Sequence, residues 1–218
     1  MRRPHRWELA CYRIVRTLAA VVAKLYWRLR IDGLPNVPPG GAYIIAPVHR
    51  SNVDSFVAGL ITRRRVRFMA KDSLWKSRVL GRLVEALGGF PVHRGSADRE
   101  ALRVTAEVIR NGEPLVMFPE GTRKEGEIIE HVFDGPAYVA SRTGAPILPV
   151  GIGGSAKAMP RGAKFILPAR IHVIIGEPLR ADPLPEGGRV PRNAVRDLSE
   201  RLRKELQRLF DEAEGRAP

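Results

Sequence analysis

The segment AYIIAPVHRSNVD, residues 42–54, decides the architecture of this chain. It opens with an apolar, β-branched run at residues 42–48, which has the length of a buried strand, and continues into a helix-like pattern. The same alternation recurs along the chain and predicts an α/β fold, with a mixed, largely parallel sheet covered by helices on both faces. Strands are predicted at residues 42–48, 66–70, 89–92, 115–118, 146–152 and 171–175, and helices at residues 53–62, 74–87, 97–110, 136–142 and 192–210.

His49 and Asp54 follow the first predicted strand and lie five positions apart. A neutral imidazole can take a proton from an alcohol near neutral pH. A carboxylate on its other nitrogen fixes the tautomer and stabilises the imidazolium that forms. The nucleophile of a hydrolase triad is missing, because no Gly-x-Ser-x-Gly motif occurs and the sole cysteine, Cys11, lies in an N-terminal helix-like segment. If the pair is catalytic, the alcohol that it activates belongs to a substrate.

A second interpretation of the same residues is structural. Ser51 and Asp54 have the spacing of a helix capping box, with aspartate in place of the usual glutamate. His49 would then be an ordinary loop histidine. The two interpretations are compatible, since the start of a helix could direct both side chains toward one cleft.

The composition predicts one folded domain with an anionic partner. The chain has 218 residues, of which 44% are hydrophobic, enough for one sizeable core. Its formal net charge of +14 indicates a membrane surface, a nucleic acid or a phosphorylated substrate, and no recognised nucleic-acid-binding motif is present. A single cysteine excludes an intramolecular disulfide and a cysteine metal cluster.

Residues 7–30 have the pattern of an amphipathic helix. The longest uninterrupted apolar stretch, residues 18–23, is far shorter than the ~20 residues that a membrane-spanning helix needs. We predict that residues 1–32 form a helix that lies on or partly in an anionic membrane. The alternative is a helix that packs its apolar stripe on the domain core. That stripe would consist of Trp7, Cys11, Ile14, Val15, Leu18, Val22, Leu25 and Leu29.

The rest of the chain divides into a central domain, residues 33–180, and a C-terminal part, residues 181–218. Proline and glycine mark the beginning of the latter as a linker. The helix that follows is expected to pack on the domain, and a dimer contact is the second possibility. Within the domain, residues 63–82 carry eight basic residues and one acidic residue among apolar ones. This pattern suits lipid headgroups and acyl chains, although a solvated helix face is the usual origin of such a charge run.

Three further motifs lie at predicted strands: GFPVHR at residues 89–94, FPEGTR at residues 118–123 and PILPV at residues 146–150. The first two place Arg94 and Arg123 at the carboxyl ends of strands, where ligands bind in open α/β sheets. Arginine binds phosphate through paired donors, and glycine lets a backbone approach a ligand closely. The two arginines could form a phosphate clamp, although each one alone would be an ordinary surface arginine.

Together with the His49–Asp54 pair, these motifs resemble the four sequence blocks of the glycerolipid acyltransferase family, in particular of 1-acyl-glycerol-3-phosphate acyltransferases. The resemblance covers most of the chain, residues 40–180, and FPEGTR is its most specific block. The chain departs from the family pattern at Val48, where asparagine is frequent, and at His93, where an acidic residue is frequent. It also departs at Phe133, near which a lysine commonly aligns.

The resemblance implies transfer of a fatty acyl group from acyl-CoA or acyl-carrier protein to the free hydroxyl of 1-acyl-glycerol 3-phosphate, giving phosphatidic acid. His49 would be the general base and Asp54 would orient it. The acceptor phosphate would be bound by Arg94, Arg123, Gly121, Thr122 and Lys124, with Ser51, Glu120, Phe90 and Pro149 in supporting positions. Glu120 would position Arg123 or a loop.

The same resemblance sets expectations for partners and surroundings. The enzyme would work at the cytoplasmic face of the cell membrane, on an anionic surface, with the lysophospholipid and the acyl donor as partners and no nucleic acid. No metal or cofactor is expected, because a thioester supplies its own driving force. Two alternatives stay open: an acyltransferase of this fold that uses glycerol 3-phosphate or another lysolipid, and a non-catalytic membrane-surface protein.

Overall fold

The alternating segments form one sheet surrounded by helices. The structure, a computed structural model, describes residues 5–92, 99–160, 162–183 and 189–217. The strands are β1 (Arg30–Asp32), β2 (Ile44–Pro47), β3 (Arg67–Lys71), β4 (Gly89–Val92), β5 (Leu115–Val116), β6 (Ile147–Gly153) and β7 (His172–Ile175). The helices are α1 (Arg6–Tyr26), α2 (Val53–Leu60), α3 (Arg78–Ala86), α4 (Arg99–Arg110), α5 (Gly135–Thr143), α6 (Ser155–Ala158) and α7 (Arg192–Arg216), with short 3-10 helices at Leu34–Asn36 and Asp72–Lys76.

The seven strands lie in the order β1-β7-β6-β2-β5-β3-β4. β6 and β7 pair antiparallel, and every other neighbouring pair is parallel. The predicted mixed, largely parallel α/β sheet is therefore confirmed. All residues of β2 and β6 are buried. Because successive side chains of a strand point to opposite faces, the centre of the sheet is covered on both sides.

One edge of the sheet gathers the ends of most strands. β2, β5, β3, β4 and β6 run in the same direction and end at this edge, whereas β7 and β1 run the other way and begin there. We call it the His49 edge, because His49 follows β2 at this place. Ligands of open α/β sheets bind at the carboxyl ends of the strands, so this edge is where a site is expected.

α7 packs along β6, and glycine makes the close approach possible at two positions of the strand. A Cβ on Gly151 would overlap the backbone of Leu209, and a Cβ on Gly153 would overlap the backbone of Ala213. The helix continues to Arg216 rather than to residue 210, and Arg216 donates to Asp32 of β1 at 2.8 Å. The buried face of α7 consists of Val195, Leu198, Ser199, Leu202, Leu206, Leu209, Phe210 and Ala213.

α1 contacts the domain through small apolar side chains, Ala19, Ala20 and Ala23, and through polar groups. The hydroxyl of Tyr12 accepts a hydrogen bond from the N–H of Val66 at 3.1 Å, and burial raises the pKa of this tyrosine. Arg16 donates to the carbonyls of Leu60 at 3.0 Å and Thr62 at 2.8 Å, at the carboxyl end of α2. These carbonyls have no partner within their own helix, and a cation is favourable beside them.

Most of the apolar stripe of α1 faces away from the domain, so the alternative in which the whole stripe packs on the core is wrong. The exposed members are Trp7, Ile14, Val15, Leu18, Val22 and Leu25, joined by Val21. The helix ends at Tyr26, so Leu29 leaves the stripe and packs on the core, and residues 30–32 enter the sheet as β1. None of the helices in the described part of the chain is long and apolar enough to cross a membrane.

Other differences from the predicted elements concern short segments. The helix predicted at residues 74–87 is divided, because Ser77 caps a new helix, α3, by accepting the N–H of Leu80 on its side chain at 3.3 Å. β1 has three residues and α6 has four. Segments of this length are too short to show a hydrophobic period, so the sequence did not predict them.

Replacing either Gly151 or Gly153 with alanine should destabilise the protein by about 1–3 kcal/mol, because the added methyl group must push α7 away from β6. The free energy of unfolding in urea measures the effect. Gly40→Ala is the control, since no atom lies within 4 Å of a Cβ at that position. Unchanged stability of both strand variants would show that α7 does not approach β6 as described.

Candidate functional site

The end of β2 and the first turn of α2 hold the His49–Asp54 pair together. Nδ1 of His49 lies 3.2 Å from Oδ2 of Asp54. Because an ionised carboxylate can only accept, Nδ1 carries the proton and Nε2 keeps the lone pair. The side chain of Asp54 is fully buried, whereas that of His49 is 15% exposed and lines a cleft. The two residues that the sequence predicts as base and orienting group are thus in contact at the His49 edge.

Asp54 also joins the first turn of α2 to the loop before it. Its Oδ2 accepts hydrogen bonds from the backbone N–H groups of Arg50 at 2.7 Å and Ser51 at 2.6 Å. The bond to Ser51 is one half of the predicted capping box. The side chain of Ser51 accepts from the N–H of Val53 at 3.3 Å instead of completing the other half. The structural and the chemical interpretations of this segment therefore describe one geometry.

A buried ion pair joins the loop after β2 to the loop after β5. Nη1 of Arg50 lies 2.6 Å from Oε1 of Glu120, and both side chains are buried. The other oxygen of Glu120 accepts the backbone N–H of His49 at 2.8 Å. Arg50 also donates to the carbonyl of Gly126 at 3.0 Å and lies over the ring of Phe210 at 4.8 Å. Glu120 therefore positions the loop that carries His49, and its charged partner is Arg50 rather than Arg123.

The imidazole of His49 is fixed by two further contacts from the loop after β5. Its ring stacks on that of Phe118, with the centroids 3.9 Å apart and the planes at 25°. The backbone N–H of Lys124 donates to the carbonyl of His49 at 2.9 Å. The ring plane and the backbone of His49 are thus held by the neighbouring strand end.

A cleft of about 600 Å³ opens beside His49. Four of the five residues expected to bind phosphate line it, and the fifth, Arg94, lies outside the described residues. Ser51 lies behind the cleft, where its hydroxyl donates to the carbonyl of Met159 at 3.0 Å. The lining consists of His49, Asn52, Ser55, Gly121, Thr122, Arg123, Lys124 and Glu125.

Phe133 covers the glycine of this loop. Gly121 has a φ of 69°, and a Cβ at this position would lie 2.7 Å from the ring of Phe133. The N–H of Phe133 donates to the carbonyl of Pro119 at 2.8 Å, which holds the two segments together. An exposed aromatic ring therefore stands against the loop.

Two residues expected to support the site belong to the core of the sheet. Phe90 is buried on β4, which is the third strand from β2, and the guanidinium of Arg67 lies over its ring at 5.8 Å. Pro149 is buried within β6, where its carbonyl accepts the N–H of Gly176 at 3.0 Å. Neither is among the residues that line the described cleft. Both are apolar strand residues that build the sheet.

The arrangement provides an oriented base next to cationic side chains. His49 can accept a proton from a hydroxyl that enters the cleft, and Asp54 stabilises the imidazolium that results. Arg123 and Lys124 favour a molecule that carries negative charge beside that hydroxyl. No group of three or more His, Cys, Asp or Glu residues in the described ranges is arranged to hold a metal ion.

A family model described as Acyltransferase matches residues 28–153, which is more than half of the chain. This chain belongs to the acyltransferase family. The matched residues include His49, Asp54 and the FPEGTR motif, so the family assignment rests on the segment that builds the site.

Several relatives of this acyltransferase are named 1-acyl-sn-glycerol-3-phosphate acyltransferases. It is 25% identical to the 1-acyl-sn-glycerol-3-phosphate acyltransferase of Bacillus subtilis, over 77% of this chain and 82% of that protein. The Streptococcus pneumoniae protein of the same name is 25% identical over 89% of this chain and 72% of its own length. The chloroplastic LPAT1 of Arabidopsis thaliana is 25% identical over 76% of this chain, but the match spans only 48% of that protein.

The fold is shared with a solved member of the family. The crystal structure of the 1-acyl-sn-glycerophosphate (LPA) acyltransferase PlsC from Thermotoga maritima matches with a TM-score of 0.74, covering 96% of this chain and 83% of that one at 24% identity. With the family match and the curated relatives, this identifies the protein as an O-acyltransferase.

Sequence reasoning missed two residues that position His49 in this acyltransferase, Arg50 and Phe118. Arg50 follows His49 directly and is buried. The available signal was a pair of opposite charges, Arg50 and Glu120, each just beyond the end of a predicted strand. That signal becomes specific only when β2 and β5 are known to be neighbours.

Replacing Glu120 with glutamine should destabilise the acyltransferase by about 3 kcal/mol, because it leaves the charge of Arg50 buried without a carboxylate. Unfolding in urea measures the loss. Glu130→Gln, at an exposed acidic residue, is the matched control. Adding Arg50→Met to Glu120→Gln should recover part of the lost stability, since the unpaired charge is then gone. A Glu120→Gln variant as stable as the control would show that the pair is not buried as described.

Proposed function

We propose that this acyltransferase transfers a fatty acyl group directly from a thioester to the hydroxyl of a lysophospholipid, with His49 as the general base. The observation that carries the proposal is the oriented imidazole of His49 at the wall of a cleft with Arg123 and Lys124. No serine, threonine or cysteine in the described part of the chain donates a hydrogen bond to this ring. An enzyme nucleophile would be expected within reach of its base, so the acceptor hydroxyl is the nucleophile.

The proposed reaction has two proton transfers. Nε2 of His49 takes the proton of the acceptor hydroxyl while the oxygen attacks the thioester carbonyl, and Asp54 stabilises the imidazolium. The tetrahedral intermediate then collapses, the carbon–sulfur bond breaks, and the imidazolium returns the proton to the thiolate. The products are an ester and a free thiol, and His49 is neutral again.

The proposed acceptor is 1-acyl-glycerol 3-phosphate, which would give phosphatidic acid. The relatives in Bacillus, Streptococcus and Arabidopsis carry this acceptor in their names, and Arg123 and Lys124 supply positive charge for its phosphate. The donor would be acyl-CoA or acyl-carrier protein, without metal or cofactor.

The proposed place of work is the cytoplasmic face of the cell membrane. The exposed apolar stripe of α1 and the net charge of +14 are the features that support binding to an anionic bilayer. A helix in this position would bring the cleft to the surface on which the lysolipid is found.

A second acceptor deserves a test because Phe133 stands against Gly121, near the place where the family pattern leads us to expect a lysine. An aromatic ring adds no charge to a phosphate site. This favours, as the alternative, an acyltransferase that uses glycerol 3-phosphate or a lysolipid whose phosphate carries a further headgroup. A panel of these acceptors at equal concentration separates the candidates by their kcat/KM values.

Replacing His49 with glutamine should lower turnover by about 10²–10⁴-fold, because the general base is lost. Thiol release from an acyl thioester, with and without 1-acyl-glycerol 3-phosphate, measures the rate. Asp54→Asn should also lower it, whereas His131→Gln, at an exposed histidine, should not. Acceptor-dependent thiol release that persists in a folded His49→Gln variant would disprove the mechanism.

Arg123→Ala should raise the KM for 1-acyl-glycerol 3-phosphate about tenfold or more, since a charge-assisted contact with phosphate is worth roughly 1.5–3 kcal/mol. The KM for the thioester should change much less. Arg142→Ala is the control, because Arg142 is exposed at the end of α5, away from the His49 edge. An equal rise in both KM values would argue against a role of Arg123 in acceptor binding.

A further inference from the structure

The segment between α6 and β7 exposes three consecutive apolar residues. Phe165 is 78% exposed, Ile166 43% and Leu167 48%. Single apolar residues are common on protein surfaces, but a contiguous run with an aromatic tip indicates an interaction site. We call residues 164–167 the apolar loop; Lys164 precedes the three apolar side chains and is exposed.

The apolar loop lies at the same edge of the sheet as the cleft. It follows the carboxyl end of β6 and precedes the amino end of β7, both of which are at the His49 edge. Met159, just before the loop, contacts the wall of the cleft: its carbonyl accepts from the hydroxyl of Ser51 at 3.0 Å, and its sulfur lies 3.8 Å from the amide nitrogen of Asn52. The loop therefore lies at the edge of the sheet that holds the cleft, and Met159 connects its segment to Asn52 of the cleft lining.

Two hydrogen bonds hold the loop in its exposed position. The hydroxyl of Tyr26 donates to the carbonyl of Ile166 at 2.9 Å. The N–H of Leu167 donates to the carbonyl of Ala158 at 2.7 Å. Tyr26 is the last residue of α1, and its neighbour Leu25, on the exposed stripe, is 75% exposed. The apolar loop is thus joined to the end of the α1 stripe.

The segment that contains the loop carries charge of one sign, and the acidic side chains that contact it, Glu214 at Gly154 and Asp32 at His172, lie at its two ends. Residues 151–176 contain four basic residues and no acidic residue. Lys157, Lys164 and Arg170 among them are exposed. Apolar side chains with a ring of cations are the composition that binds an anionic lipid surface, where the cations meet phosphates and the apolar groups enter the acyl region. A protein partner of the same patch would need an acidic rim around an apolar centre.

We propose that the apolar loop is a second bilayer contact, which inserts Phe165 and its neighbours into an anionic membrane at the mouth of the cleft. The inference rests on the proposed function in that the acceptor is a membrane lipid. α1 binds along the surface and the loop fixes its distal end, so that the His49 edge faces the lipid and a lysolipid enters the cleft without crossing water.

Insertion can be measured directly by fluorescence. A Cys11→Ser background removes the natural cysteine, and Phe165→Cys carries an environment-sensitive dye. On vesicles that contain phosphatidylglycerol, the dye should brighten and be quenched by spin-labelled lipids, whereas on pure phosphatidylcholine the response should be much weaker. Leu34→Cys is the matched control, since Leu34 is 51% exposed and lies at the opposite edge, after the end of β1. A response at position 165 no larger than at position 34 would overturn the proposal.

Binding and turnover give the second test. Phe165→Ser with Ile166→Ser should lower affinity for anionic vesicles by about a hundredfold, the scale expected for losing two inserted apolar side chains. Leu34→Ser should not. Turnover on an acceptor presented in vesicles should fall, while turnover on a short-chain, monomeric acceptor stays at the wild-type level. A fall on both acceptors, or a changed oligomeric state with unchanged vesicle affinity, would show that the loop shapes the site or contacts another copy instead.

The two proposals fail in distinguishable ways. If wild-type protein turns over neither acceptor but position 165 still enters anionic vesicles, the proposed acceptor is wrong and the membrane contact stands. If both acceptors are used and position 165 stays in water, the apolar loop proposal alone is wrong.

Discussion

The geometry of the site depends on the buried pair of Arg50 and Glu120. Burying two charges costs several kcal/mol for each ion, and a pair of this kind adds little to stability compared with apolar residues of similar size. Its contribution is to fix the orientation of the two loops that it joins. Glu120 accepts from the backbone of His49 with its second oxygen, and Arg50 is fixed by Gly126 and Phe210. The loops after two neighbouring strands are therefore fixed relative to each other, and His49 is held between them.

On the other side of His49, Asp54 likewise binds both the histidine and the backbone of the loop. Three donors converge on Oδ2: the imidazole of His49 and the backbone N–H groups of Arg50 and Ser51. Asp54, in the first turn of α2, is thereby also the group that holds the imidazole of His49, so the ring cannot turn without disturbing the start of the helix. Most of the residues that line the cleft lie on the loop after β5 instead.

The sequence predicted the α/β class because β2 and β6 are buried on both faces and read as continuous apolar runs. It predicted the place of His49 and Asp54 because both lie within one local segment. It could not predict the order of the strands, and the contacts of Phe118 and Arg50 depend on β2 and β5 being neighbours. Strands of two or three residues, such as β5 and β1, leave no period to detect, so their limits came only from the structure.

The orientation of α1 illustrates a limit of a different kind. A period of 3.6 residues reveals that a helix has an apolar face but not what that face meets. Here the polar face contributes to the orientation of α1, because Arg16 donates hydrogen bonds to carbonyls at the end of α2. Once those bonds form, the stripe must point outward. The two ends of α2 then have different roles. Arg16 binds carbonyls at its carboxyl end, and Asp54 in its first turn contacts His49. A surface bound by α1 consequently has a fixed distance and direction to His49, which an anchor on a flexible tether would not provide.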